Sequence, residues 1–422
     1  VRFFLVAALG CLAAAAQAAP SGAVHCGKLL DVRSGRILTD QTILFEDGRV
    51  TAVGQAPPPP GVVPLDLGGL TCLPGLIDVH VHLTSDPSHA GYSGLGVSMP
   101  RSTVTGVKNA RITLQAGFTT VRNVGASGFT DVALRDGINA GDIDGPRMQV
   151  SGPPLGITGG HADDNLLPWE YHATAQGVAD GPWAARAKVR ENAKYGVDLI
   201  KIMASGGVMS KGDQPGAEQY SLEEMQAVVT EAHMMGRKVA AHAHGTQAIH
   251  DAIVAGVDSV EHASLISDAD IQLAKERGTY LVFDIYNDDY ILGSGLKAGM
   301  LQETIDKEKT IGRRQRESFR RAHAAGSYLA FGTDAGVYPH GDNAKQFAKM
   351  VEWGMTPIEA IRAATLEGAK LMGWQDRVGA LQPGYYADVI AVQGDPTQDV
   401  RVLEHVRFVM QGGAVKRPLT TD

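Results

Sequence analysis

Two histidines one residue apart, His80 and His82, close the apolar run Leu73-Pro-Gly-Leu-Ile-Asp-Val79. Side chains two apart on a β-strand share a face, so this pair aims two imidazoles at one point. Convergent imidazoles suit a divalent cation, and later strand-like segments ending in or near Lys201, His242, His262 and Asp334 offer further ligands. Four imidazoles, a carboxylate and a lysine make a poor packing core but a good site for two divalent cations. Lys201 is the instructive member. It lies inside the apolar stretch Asp198-Leu-Ile-Lys-Ile-Met-Ala204, where an unpaired ammonium is costly to bury. Carboxylation by CO2 would make it an anionic ligand with two oxygens, able to bridge both metals. A buried Lys–Asp ion pair is the structural alternative.

Such a set needs a scaffold that gathers strand ends. From Leu76 to about Leu371 the pattern repeats strand, loop and helix, with strands predicted to end near His82, Asn123, Ser151, Ala204, His244, His262, Tyr286 and Asp334. Ser221 and Glu224 predict a capping box on one intervening helix. Eight alternating units predict an α/β fold, a (β/α)8 TIM barrel over residues 73–374, whose chemistry sits at the C-terminal strand ends. A doubly wound open sheet would not place residues from most strands around one centre. The flanking segments are β-like: Asp47-Gly48 predicts a hairpin, and Ala387–Val392 reads as a strand. Residues 19–72 and 375–422 are therefore expected to pair as a small β-sandwich domain.

Composition narrows the partners. The chain has 422 residues, 44% hydrophobic and 20% charged, with net charge −8 and no basic tract, which argues against nucleic acid. Residues 1–18, with Arg2, a short apolar stretch and Ala16-Gln17-Ala18, predict a cleaved secretory signal peptide rather than a lipid anchor at Cys11. Export to the periplasm or beyond, with no membrane attachment after cleavage, is the expectation. An oxidising compartment permits a disulfide between Cys26 and Cys72, while two buried thiols fit the sequence equally well.

Taken in order, Pro74–His82, Ile200-Lys-Ile202, Ala241-His-Ala-His-Gly245, Ser259-Val-Glu-His262, Gly332-Thr-Asp334 and Pro383–Asp388 resemble the amidohydrolase superfamily. The likeness is to its imidazolonepropionase-like branch, with metal-dependent Xaa-Pro and Xaa-Arg dipeptidases and ochratoxinase-type enzymes. The resemblance implies that His80, His82 and Asp334 hold the more buried of two divalent ions; histidine-rich ligation suits zinc, with availability deciding among zinc, manganese and cobalt. It implies that His242 and His262 hold the other, with carboxylated Lys201 bridging. A metal-bridging hydroxide would then attack the scissile carbonyl, and Asp334 would carry its proton to the leaving nitrogen. The fifth strand offers both His242 and His244. The family motif aligns its metal ligand with His242, which leaves His244 for substrate.

The resemblance further implies that His161 polarises the scissile carbonyl and that Tyr220 contacts the tetrahedral centre. Loop residues bonded to their own backbone are the bland alternative for both. Ser85 and Tyr286 rank below them. His25, His89, His172, His233, His250, His323, His340 and His405 match no motif and read as surface or helix residues. Glycine-rich Gly125–Gly128 and Ser205–Gly207 read as tight turns giving access to the site. The function expected is an exported hydrolase of dipeptides or N-acyl amino acids, ochratoxin-type amides included, assembled as a homo-oligomer. A cyclic-amide hydrolase and a barrel that binds metal or ligand without turnover are the rival readings.

Overall fold

The structure, a computed structural model, describes residues 21–419, so the predicted leader and Cys11 lie outside it. Fifteen strands organise the described residues into one antiparallel-rich sheet and two parallel arcs.

Strands β1 (Gly22–Asp31), β2 (Arg36–Glu46), β3 (Arg49–Gly54) and β4 (Leu65–Pro74) open the chain. Asp47 and Gly48 join β2 to β3 with φ of 49° and 72°, the left-handed pair that a two-residue hairpin requires. Strands β5 (Leu76–Val81), β6 (Phe118–Asn123) and β7 (Arg147–Val150) form one parallel arc. The second arc holds β8 (Leu199–Met203), β9 (Lys238–Ala243), β10 (Ser259–His262), β11 (Tyr280–Phe283) and β12 (Leu329–Phe331). The arcs meet at both seams. Leu155 N–H donates to Lys201 O at 2.8 Å beside β8, and Asp334 N–H donates to His80 O at 2.7 Å between β12 and β5. Helices follow most of these strands. The Ser221–Glu224 capping box is present, and so is one formed by Thr356 and Glu359 ahead of Pro357.

β13 (Val389–Val392), β14 (Val406–Gln411) and β15 (Ala414–Arg417) complete the terminal sheet in the order β15-β14-β13-β4-β1-β2-β3. This corrects the expected sandwich: both chain ends enter a single hydrogen-bonded sheet. The physical reason is β4, whose two edges take β1 in parallel and β13 antiparallel, joining what would otherwise be separate sheets. Cys26 and Cys72 form a disulfide with Cα atoms 6.0 Å apart. Beside it, a Cβ on Gly27 would lie 2.0 Å from Gly68 O, so glycine alone permits this approach of β1 to β4. β4 runs almost directly into β5, which connects the cross-linked sheet to the His80 strand.

Two strand ends differ from the reading above. β11 stops at Phe283, because Asp284 and Tyr286 lead into the helix Asn287–Ser294. β12 stops at Phe331, three residues before Asp334, whose φ of 58° has left the strand conformation. Among the described residues, no helix is long and apolar enough to cross a membrane.

Candidate active site

The loops beyond the C-terminal ends of β5–β12 surround a cavity of about 280 Å³ whose lining includes His80, His82, Lys201, His242, His262 and Asp334. Its floor is a set of histidines, each oriented by a second residue. His80 Nδ1–H donates to Glu261 Oε2 at 2.8 Å, His82 Nδ1–H to Gly125 O at 3.1 Å, and His262 Nδ1–H to Asp284 Oδ1 at 2.9 Å. Each bond leaves the Nε2 lone pair available, the arrangement that a metal-ligating imidazole needs. His82 Nε2 lies 3.1 Å and His80 Nε2 3.4 Å from Asp334 Oδ1. Two ligand groups result, His80–His262–Asp334 and His242–His244–His262, each with its donor atoms within 4.8 Å of one another.

Strict alternation would send Glu261 and His262 to opposite faces. His262 escapes it with φ of 71°, and Ala263 follows at 47°, an uncommon backbone for residues other than glycine. Glu261 is fully buried and also accepts Arg122 Nη2–H at 2.8 Å, while Arg122 Nε donates to Val79 O at 2.6 Å. Burial works against the Glu261 charge, but Arg122 and the His80 hydrogen bond outweigh it and hold the carboxyl well below its ordinary range. Burial likewise opposes the Asp334 charge, and its bonds to His80 and His82 bring that carboxyl well down.

Lys201 projects from β8 into this cluster, 1% exposed, with no hydrogen bond to any carboxylate among the described residues. The alternative reading of Lys201, a buried Lys–Asp ion pair, is therefore not seen among the described residues. Burial lowers its ammonium to about 8, against the pull of Glu261 and Asp334. An amine easily neutralised is one able to react with CO2. His161 stacks on His242 with ring centroids 4.2 Å apart, and its Nδ1 lies 2.7 Å from Ser210 Oγ. Ser210 in turn donates to Asp213 Oδ1 at 2.5 Å, and Lys307 Nζ to the same oxygen at 2.8 Å. Burial pushes His161 down to about 4, so it is neutral. With Nδ1–H directed at Ser210, its Nε2 is an acceptor, which is the wrong polarity for donating to a carbonyl in this state.

Tyr220 is a correction. It is not among the cavity-lining residues: its buried hydroxyl turns to Ala179 O at 3.1 Å and Gly156 O at 3.3 Å, binding two loops together. His244 lines the cavity, with Nδ1 held by Ser264 Oγ at 2.7 Å, and the donor geometry admits it beside His242 as a ligand. Ser85 lines the cavity, whereas Tyr286 packs on Tyr338 outside it. One further histidine is misplaced by the sequence reading: His340 is buried, its Nε2 3.2 Å from His82 O. His89 lies on the short helix Pro87–His89, as read, and also lines the cavity. The glycine turns do more than give access. Gly125 O and Gly206 O orient His82 and His242, and a Cβ on Gly207 would strike the His161 ring at 2.1 Å.

Sequence reasoning missed Arg122, Asp284, Asn287 and Gln315. Gln315 donates to His262 O at 3.3 Å and to Asp284, and Asn287 joins Asp284 to Asp334 at 2.6 and 3.2 Å. Glu261 stood inside a quoted motif, and an acidic residue within an apolar strand was the available signal. The others sit on segments whose facing partner is unknowable without the fold.

Parallel strands that deliver imidazoles, a lysine and a carboxylate to one cavity define a metallohydrolase-type site. The model of the amidohydrolase family matches residues 71–420, and the chain belongs to that family. It is 35% identical over 363 residues to ochratoxinase of Aspergillus niger, which covers 81% of this chain and 74% of that protein. A solved Xaa-Pro dipeptidase with methionine bound in its active site is 36% identical, with a TM-score of 0.89 over 94% of this chain and 100% of that one. A prolidase complexed with N-methylphosphonate-L-proline is 30% identical, with a TM-score of 0.85 over 94% and 99% of the two chains. The protein is a hydrolase that acts on amide C–N bonds.

Proposed function

We propose that this chain is an exported, binuclear metal-dependent hydrolase of dipeptides or N-acyl amino acids, built on a closed (β/α)8 barrel. The observation carrying this reading is the convergence of His80, His82, Lys201, His242, His262 and Asp334 on one cavity. The donor set fits two divalent cations: histidines with a free ring nitrogen, a low-lying carboxylate and a lysine with no hydrogen-bonded carboxylate among the described residues. His80, His82 and Asp334 would hold one ion, His242 and His262 the other, and Lys201 as its carbamate both. Zinc suits this nitrogen-rich set. Bound there, the ions would polarise the scissile carbonyl and make water acidic enough to react at neutral pH.

The chain's own groups do the rest. Asp334 Oδ1, within reach of His80 and His82, is the base that can take a proton and return it to the leaving nitrogen. Asn287 donates to Asp334 Oδ2 and so orients that carboxylate. His161, with Nε2 as acceptor, would have to take up a proton before it could donate to the substrate carbonyl. The disulfide supports export, because such bonds persist in oxidising compartments.

The test is hydrolysis of a mixed dipeptide and N-acyl amino acid library by zinc-loaded protein, beside Lys201→Ala and a chelated sample. Cleavage that both treatments abolish supports the reading. No cleavage of any linear amide by fully metallated protein overturns it.

A further inference from the structure

His161 hangs on a chain of hydrogen bonds that ends on a helix beyond the histidine cluster. Its Nδ1 lies 2.7 Å from Ser210 Oγ, which donates to Asp213 Oδ1 at 2.5 Å. Lys307, on the helix Gln302–Ala324, donates from Nζ to the same Asp213 oxygen and to Ser210 O, each at 2.8 Å. Asp213 Oδ2 accepts Gly207 N–H at 3.0 Å and Gln219 Nε2–H at 3.2 Å. Gln219 Oε1 closes the loop by accepting His161 N–H at 2.9 Å. The side chains of Asp213 and Lys307 are both more than nine-tenths buried.

The number of protons fixes the direction of each bond. Four groups donate to Asp213, and Lys307 answers its charge. Ser210 has a single hydroxyl proton, and the carboxylate at 2.5 Å takes it ahead of Gly207 O at 3.4 Å. Ser210 Oγ is left only to accept, which places the imidazole proton on His161 Nδ1. The ring is also confined. It stacks on His242 with centroids 4.2 Å apart, and Gly207 lies so close that a Cβ there would fall 2.4 Å from Nε2. His161 lines the cavity, and its Nε2 has no hydrogen-bond partner among the described residues.

We propose that Ser210, Asp213 and Lys307 are positioning residues that act through His161, holding its proton on Nδ1 and presenting Nε2 to the cavity as an acceptor. The substrate group received there is an N–H or O–H donor, not a carbonyl oxygen. Position 213 requires a carboxylate, because all four of its neighbours donate and an amide would set its own N–H groups against two of them. The assignment rests on the amide-hydrolase reading, within which it fixes the polarity of one substrate contact.

Nitrogen-15 NMR of histidine-labelled, zinc-loaded protein reads the tautomer without turnover, the His161 signals being identified by their loss in His161→Ala. Wild type should show Nδ1 protonated and Nε2 bare. Ser210→Ala should move the proton toward Nε2, and Ser210→Thr should restore the wild-type signature. On any amide that the protein cleaves, Ser210→Ala should lower kcat/KM by roughly 3- to 10-fold, the range of one neutral hydrogen bond. In a His161→Ala background the same change should cost less than about twofold, because nothing is left for Ser210 to position. A merely structural serine would cost the same in both backgrounds. His161 protonated on Nε2 in wild type, a tautomer unmoved by Ser210→Ala, or a rate loss that persists without His161 overturns the assignment. If no amide is cleaved, the amide-hydrolase reading fails separately, and the NMR result alone decides whether Ser210 holds the proton on Nδ1.

Discussion

The floor and the wall of one cavity are built on opposite terms. On the floor, His80, His82 and His262 each donate to a fixed acceptor, and Glu261 is held between His80 and Arg122. On the wall, Glu308 has no hydrogen-bond or ion-pair partner among the described residues, and Asp288 Oδ1 and Asn287 Oδ1 are buried unsatisfied there. Buried polar groups are normally paired, so the exceptions carry information. A floor whose every imidazole is pre-oriented suits ligands of fixed geometry, such as metal ions. A wall with open valences suits a group that arrives and leaves.

The largest expected effect breaks the floor at its centre. Lys201→Ala should reduce amide hydrolysis by more than the ~100-fold typical of losing a residue that merely supports a metal ligand. Steady-state kinetics with metal content measured in parallel would show it, and activity near wild type would remove Lys201 from the metal site. Next is Glu261→Ala, which strands Arg122 as a buried, unpaired cation beside His80. Breaking such a pair from one side costs about 3–5 kcal/mol, readable by urea denaturation. A loss under ~1 kcal/mol would mean that the ion pair is not the keystone of the floor. Asp284→Asn, a gentler change, should weaken metal affinity by roughly 10- to 100-fold through His262 while the fold persists. Competition with a chelator measures this.

The smallest effect sharpens the contrast from the wall's side. Between the ordinary carboxyl value of 4.5 and about 8, the folded chain keeps a proton on Glu308 that the unfolded chain has released. Stability therefore falls as pH rises through that window, and the loss is complete above it. Glu308→Gln abolishes this contribution, so the variant should gain on wild type as pH rises from 4.5 to 8 in urea denaturation. Parallel stability curves would show that Glu308 finds a partner in solution.

The strands ending in ligand residues were legible because their signals are local. Period-two alternation puts His80 with His82 and isolates Lys201 among apolar neighbours, and the Asp47-Gly48 hairpin is written in two residues. Tyr220 was misread because a tyrosine near a strand end faces the cavity or its own loops according to the path of residues 156–180, which no local pattern specifies. His340 reads as a surface or helix residue in sequence, yet it is buried against His82 O, more than 250 residues earlier.

By itself, then, the sequence determined which side chains could bind metal and that His80 and His82 share a face, since strand periodicity enforces that pairing. Tertiary structure alone decided how those side chains are aimed. The positive φ at His262 and Asp334, the pairing of Cys26 with Cys72, and the assignment of Arg122 to Glu261 and of Asp284 to His262 depend on contacts across the sheets. It also decided that Glu308 stands alone, because whether a buried charge has a partner is a property of everything packed around it.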